Sequence, residues 1–228
     1  MLNFKSWAST FFGFLLILVL LLTSVDVFSF DRGFYQDQYK KLDVALNIGV
    51  SDQDLTKATD VLLDYLQGKR DDMDVVVTID GEREPMFNQR EIDHMVDVVV
   101  LYDNAMLVRN LSLILSLAIV LMLGVMYRKK ALRLLARGIQ NASVVFGVIL
   151  AFLATYALVD FYGFWTQFHH VFFTNDLWLL DPNTDNLILM VPGEFFFALV
   201  FRIVGGFAAA LVVVNVLAYF AQRKKESV

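Results

Sequence analysis

The sequence predicts an α-helical polytopic membrane protein: four transmembrane helices with a small, mainly helical extracellular cap. Three observations lead there. Hydrophobic residues make up 57% of the 228 residues and the mean hydropathy is +0.58, too apolar for an ordinary soluble domain. The apolar residues gather into four runs, 7–27, 107–127, 139–159 and 195–221, each reaching the ~20 residues that a spanning helix needs. The basic residues bracket these runs on one side: Lys5 before the first, Arg128, Lys129, Lys130, Arg133 and Arg137 between the second and third, and Arg223 with its neighbours after the fourth. The positive-inside rule makes all three clusters cytoplasmic, with both termini inside, a basic cytoplasmic loop over 128–138 and a tail over 222–228. Two segments, 28–106 and 160–194, then lie outside, and all three histidines fall in them.

The first run follows Lys5 as a signal peptide would, but TSVDVFSF offers no small-x-small cleavage site, so an uncleaved anchor is expected. The chain has no cysteine, hence no disulfide, thiol nucleophile or thiolate metal site, and no residue on which it could itself be lipid-modified.

Past Asp31, FYQDQYKKLDVALNIG predicts one amphipathic helix with Phe34, Leu42, Val44 and Leu46 among its apolar residues. SDQDLTKATDVLLDYLQG predicts a second, with Ser51 as cap, Asp54 at capping-box spacing, and Leu55, Val61, Leu62, Tyr65 and Leu66 on one face. DVVVTIDGEREPMF predicts a short hairpin turning at Asp80-Gly81. In FNQREIDHMVDVVVLYD, Asn88 and Glu91 have the N-x-x-E spacing of a helix start, and that helix can run on into the second span. It carries His94, with Asp97 one turn away on the same face to orient the imidazole and raise its basicity. Read without a function, His94 is a surface histidine on an amphipathic cap.

Helical rise serves as a ruler for the spans. Asp26, Arg109 and Arg202 each lie roughly 28–31 Å from their cytoplasmic basic residue, about the thickness of the hydrocarbon core. All three charges therefore reach the external interface, either as snorkelling anchors or as part of a polar site. Arg202 has twenty uncharged residues behind it and FFFALVF in front, and so is the stronger site candidate.

The segment 160–194 opens with DFYGFWTQFHHVFFTNDLW, in which eight of the eighteen residues from Phe161 to Trp178 are aromatic. An interfacial belt favours Trp and Tyr, whereas Phe dominates here. Phe164, Trp165, Phe168, Phe172, Phe173 and Trp178 around His169 and His170 suit a pocket that accepts acyl chains and excludes water. Asp176, Asp181 and Asp185 read as turn and capping residues. Glu194 is placed either to stabilise the N-terminus of the last helix or to pair with Arg202.

Two reaction classes fit these residues. Histidines from both external segments can bind a metal with Asp97 or Glu91, but no zinc spacing such as H-E-x-x-H occurs. The other class is metal-free acid–base chemistry, and with no G-x-S-x-G motif the nucleophile would come from the substrate. Nothing points to a nucleic-acid partner, and the oligomeric state is not legible.

FNQREIDHMVDV, FHHVFF and DLWLLDP…DNLI…VPGEFF resemble the bacterial lipoprotein intramolecular transacylase family in order and spacing, with Gly193 inserted between Pro192 and Glu194. The resemblance implies a multi-pass protein of the bacterial cytoplasmic membrane with its site at the extracellular face. It implies a diacylated bacterial lipoprotein as substrate, membrane lipid as partner and no cofactor. The reaction would move the sn-2 acyl chain of diacylglyceryl-cysteine to the cysteine α-amine, leaving a lyso-form lipoprotein. Its two catalytic histidines would fall on His94 and on His169, with His170 as the alternative. His94 is expected as general base, oriented by Asp97, and His169 as general acid or oxyanion partner, or the reverse; Arg202 and Arg109 would polarise the ester or hold headgroups. The alternatives are a non-catalytic membrane protein that binds a lipid or partner, and a metal-dependent lipid hydrolase.

Overall fold

A computed structural model describes residues 4–223; residues 224–228 of the expected tail lie outside the described residues. Its helices are α1 (Phe4–Ser29), α2 (Arg32–Lys41), α3 (Val44–Ile48), α4 (Asp52–Leu66), α5 (Gln89–Tyr127), α6 (Ala131–Val159), α7 (Phe161–Phe172), α8 (Asn186–Met190) and α9 (Gly193–Arg223), with one hairpin of β1 (Val76–Ile79) and β2 (Glu82–Pro85) between α4 and α5. The described residues divide into two compact units, one of residues 4–28, 105–160 and 201–223, the other of 29–104 and 161–200.

In the first unit, Phe12 of α1, Leu123 of α5, Leu135 and Ile139 of α6 and Ala218 of α9 share one apolar cluster, so four helical segments pack together. A second cluster holds Ile17, Ala142 and Phe207. Gly13 and Gly138 bring α1 and α6 into backbone contact: a Cβ on Gly138 would sit 1.8 Å from the Ser9 carbonyl oxygen. Side-chain amides tie the same segments, Asn215 donating to the Ser143 hydroxyl at 2.8 Å and Gln222 to Gln140 at 2.8 Å, which is how apolar helices gain specific pairing where lipid supplies no hydrophobic drive. Large apolar side chains such as Val125, Val144, Phe152 and Val212 point outward, the reverse of a soluble protein.

Among the described residues, three helical runs are long and apolar enough to cross a membrane: Phe4–Ser29, Gln89–Val159 and Gly193–Arg223. The second is 71 residues long and contains two of the expected spans. A 3-10 turn, Arg128–Lys130, divides it, with Arg128 in the left-handed region at φ 44°. The basic stretch is therefore a short turn, with helix resuming at Ala131 rather than a loop to residue 138.

In the second unit an aromatic core forms where Phe195, fully buried, meets Tyr35 at 4.9 Å and Tyr39 at 6.0 Å between ring centroids. Arg32 joins α2 to α4 through Asp60 at 2.6 Å and Asp64 at 2.8 Å. The single helix expected after Asp31 is two, because Asp43 takes the left-handed conformation at φ 50° and stops α2. Leu46 consequently faces solvent. Ser51 caps α4 by accepting from Asp54 N–H at 3.0 Å, but the Asp54 carboxylate accepts from Thr78 N–H instead of closing the box. The hairpin pairs Ile79 with Glu82 across Asp80-Gly81, both at positive φ, as a two-residue turn requires.

Candidate functional site

All the groups that converge on the histidines belong to the second unit. α5 begins with a reciprocal capping box: Asn88 N–H donates to Glu91 Oε2 at 2.6 Å and Glu91 N–H to Asn88 Oδ1 at 3.1 Å. The other Glu91 oxygen accepts from Leu187 N–H, so one carboxylate joins the starts of α5 and α8. Asn88 also donates to Asp185 at 2.7 Å, and Asp185 accepts from Asp181 N–H at 2.7 Å. Burial pushes the Glu91 pKa up, and backbone donors oppose it. This lattice fixes α5, and with it His94 one turn beyond Glu91.

α7 carries His169 on its one buried face. The two imidazoles lie 6.2 Å apart between ring centroids, tilted by 36°. Phe173 packs against both, 5.4 Å from His94 and 5.6 Å from His169. His169 is further enclosed by Trp165 at 4.9 Å, Phe168 at 5.6 Å and Trp178, stacked at 4.7 Å and 24°. Only 8% of His94 and 6% of His169 is exposed. His170 is exposed and turns its ring edge to Trp178 at 5.2 Å, so the adjacent histidines separate into one inside the cluster and one outside.

His169 Nδ1 lies 2.8 Å from the Trp165 carbonyl. A carbonyl only accepts, so Nδ1 carries the hydrogen and Nε2 presents a lone pair. His94 Nδ1 has no hydrogen-bond partner among the described residues. Burial lowers the His169 pKa, the Trp165 carbonyl opposing it and His170 adding to it. The His94 pKa is pushed down to about 4, first by burial, then by the charge of His169, with Asp97 pulling it back. Both rings are neutral at pH 7.

The remaining candidates are placed as follows. Asp97 accepts from Asn175 at 2.8 Å and makes no hydrogen bond to His94 Nδ1. Phe172 packs tilted against Phe168 at 4.8 Å, one ring removed from His169, and Phe164 lies 6.3 Å from Phe161. Glu194 is exposed in the first turn of α9. In the first unit, Arg109 pairs with Asp26 at 2.5 Å and Arg202 lies over the Phe28 ring at 5.2 Å. Among the described residues no three His, Asp or Glu groups converge as a metal site. Sequence reasoning passed over Arg90, which donates to the Asp176 carbonyl and, at 3.2 Å, to that of Leu179. It also passed over the Trp165 carbonyl, since a backbone acceptor carries no residue signature.

The family model described as lipoprotein intramolecular transacylase Lit matches residues 10–196. Among solved structures, that of the membrane-integral lipoprotein intramolecular transacylase Lit from Bacillus cereus is 17% identical, covers 95% of each chain and superposes with a TM-score of 0.77. Two structures of the same protein with single histidine substitutions are 16% identical, cover 95% of this chain and 91% and 93% of theirs, and give TM-scores of 0.73. No curated protein gives a significant match.

Proposed function

We infer the reaction from one premise: the chain belongs to the lipoprotein intramolecular transacylase Lit family, whose model covers residues 10–196. The substrate is a bacterial lipoprotein whose N-terminal cysteine carries diacylglycerol on sulfur and a free α-amine. The amine nitrogen attacks the sn-2 ester carbonyl, an N–C bond forms and the ester C–O bond breaks. The amine's proton ends on the released glyceryl oxygen. The products are an N-acyl cysteine and a lyso glyceryl group with one acyl chain. Ester-to-amide exchange runs downhill, so no cofactor is needed. The chain crosses the membrane four times with both termini cytoplasmic, and residues 28–106 and 160–194 are extracellular.

The observation that carries this reading is the His94–His169 pair inside an aromatic enclosure. Closure through N, Cα, Cβ, S, two glyceryl carbons, the ester oxygen and the acyl carbon makes an eight-membered ring. Holding its ends together draws on the ~7–11 kcal/mol available from positioning. The Trp165 carbonyl fixes the tautomer that leaves His169 Nε2 as proton acceptor, and it stabilises the imidazolium that results. That supports His169 as the general base, which then returns the proton to the leaving oxygen, the reverse of the first assignment. His94, held neutral, suits an N–H donor to the ester carbonyl as charge develops there.

Intramolecular transfer leaves the intact mass unchanged, so the test fragments the N-terminal lipopeptide of a reporter lipoprotein expressed with and without this protein. N-acylation with one remaining glyceryl chain, lost in His94→Asn and in His169→Asn, is the expected result. A diacylglyceryl cysteine that keeps its free amine beside well-expressed protein overturns the reading.

A further inference from the structure

The histidines are too well covered for the reaction they are proposed to run. Proton transfer needs the amine and the ester oxygens within about 3 Å of ring nitrogens, yet the two rings are 8% and 6% exposed. So narrow an opening favours admission of a branched lipid only if part of that enclosure moves.

The enclosing side chains differ in how they are held. Trp165 and Phe168 belong to α7, where each turn is secured by backbone hydrogen bonds. Phe173 and Trp178 lie beyond its end, in the irregular stretch before α8. Residues 173–180 are tied within themselves by Leu177 N–H to Asn175 at 3.1 Å, Leu179 N–H to the Asp176 carbonyl at 3.1 Å and Leu180 N–H to the Trp178 carbonyl at 3.0 Å. Their polar attachments to α5 are the two bonds from Arg90 and the one from Asn175 to Asp97. All three are water-exposed, so solvent replaces them when they break and the polar attachments themselves resist opening little. Arg90, His94 and Asp97 stand at helical spacing on α5, and the stretch they grip is the one that lays Trp178 on His169.

A second observation distinguishes a cover from a fixed wall. Two buried polar atoms here, Trp178 Nε1 and His94 Nδ1, have no hydrogen-bond partner among the described residues. Buried donors are nearly always paired, so the closed arrangement leaves unmet hydrogen-bonding capacity that an opened one can satisfy with water or with the polar centre of the substrate.

We propose that residues 173–180 form a hinged strap over the histidine pair, latched to α5 by Arg90 and Asn175, which lifts to admit the diacylglyceryl group and closes to exclude water during transfer. The inference rests on the reaction proposed above. Arg90 is a positioning residue in it: its contacts are to backbone carbonyls of the strap and to neither histidine.

Two experiments test the strap, one without reference to activity. Diethyl pyrocarbonate modifies neutral, accessible imidazoles, and the chain has three histidines, so peptide mass spectrometry reads each one, with exposed His170 as the internal standard. In solubilised full-length protein, Arg90→Ala is expected to speed modification of His94 and His169 at least threefold relative to His170. Equal relative rates in parent and variant overturn the strap. The second uses the absence of native cysteine: Arg90→Cys with Asp176→Cys is bridged by a reducible bis-methanethiosulfonate reagent of arginine length. N-acylation is expected to fall at least tenfold on bridging, relative to the same double variant capped at both cysteines with a monofunctional reagent, and to return on reduction. Full activity in the bridged protein also overturns the strap. If the parent transfers no acyl chain at all, the reaction reading fails, and the pyrocarbonate rates still decide the strap.

Discussion

His94 protonates near pH 4 rather than at the 6.5 of a free imidazole, and His169 is lowered too. Activity should therefore show no inflection at pH 6.5. Between pH 6.5 and 7.5, kcat/KM should follow the substrate amine alone, rising about tenfold per unit toward its pKa of about 8. A second break near 6.5 would remove the buried pair from the chemistry. Stability carries the same signature with a definite sign. Below about 6.5 the unfolded chain takes up a proton at His94, whereas the folded protein does not until about 4. Stability is thus full above 6.5 and declines as pH falls across that window, and His94→Asn should flatten that part of a thermal-unfolding curve. Glu91 predicts a different residue-level outcome. Its carboxylate accepts backbone N–H groups from both ends of a buried junction, so Glu91→Gln turns one acceptor into a donor facing a donor. The expected loss is about 1–3 kcal/mol, measurable as a lower midpoint in detergent, with the histidine chemistry preserved in the fraction that remains folded.

Elements were legible wherever a local interaction defines them. Asn88 and Glu91 mark the start of α5 and close the box that their spacing implies. Ser51 marks α4 and Asp80-Gly81 marks the hairpin turn. The break between α2 and α3 was hidden because Asp43 is an ordinary helix residue until tertiary packing draws it to positive φ. Asp97 was expected beside His94 from helical spacing alone, and the competing partner, Asn175, sits 78 positions away. The close approach of α1 and α6 was equally silent, since Gly138 looks like any glycine in an apolar run. That approach predicts a contrast. Gly138→Ala, whose Cβ would overlap Ser9 backbone, should destabilise by at least the ~1–3 kcal/mol of an overpacked core. Gly147→Ala, also in α6 but with nothing within 4 Å, should be neutral or stabilising by about 0.5–1 kcal/mol. Paired unfolding curves of the two variants decide it.

For the whole molecule, charge is divided as sharply as hydrophobicity. Residues 29–104 and 161–200 hold 21 Asp and Glu against 8 Lys and Arg, whereas the turn and helix start at 128–137 hold five basic residues and no acidic one. The topology proposed above would place the second pattern on the cytoplasmic side, and it makes a direct prediction. In a chain without cysteine, Lys69→Cys should react with an impermeant maleimide in intact cells, and Lys129→Cys only after permeabilisation. Labelling of Lys129→Cys from outside would invert the arrangement and put the histidines on the wrong face for a lipoprotein. The histidine pair itself was legible as residue types, through His94 at a helix start and His169 in a phenylalanine-rich run. Which of the adjacent histidines turns inward was not, because it depends on the rotation of α7, and that is set by rings far along the chain such as Phe196, 4.3 Å from Trp165.

The stack of Trp178 on His169 gives the protein a native optical reporter. Indole emission is sensitive to an imidazole in van der Waals contact and to the polarity around it, and the chain has only three tryptophans. With Trp7 and Trp165 replaced by phenylalanine, the remaining fluorophore would sit on the moving part itself. Brightness and colour would then follow the admission of a lipid in real time, with no dye attached and no chemistry required.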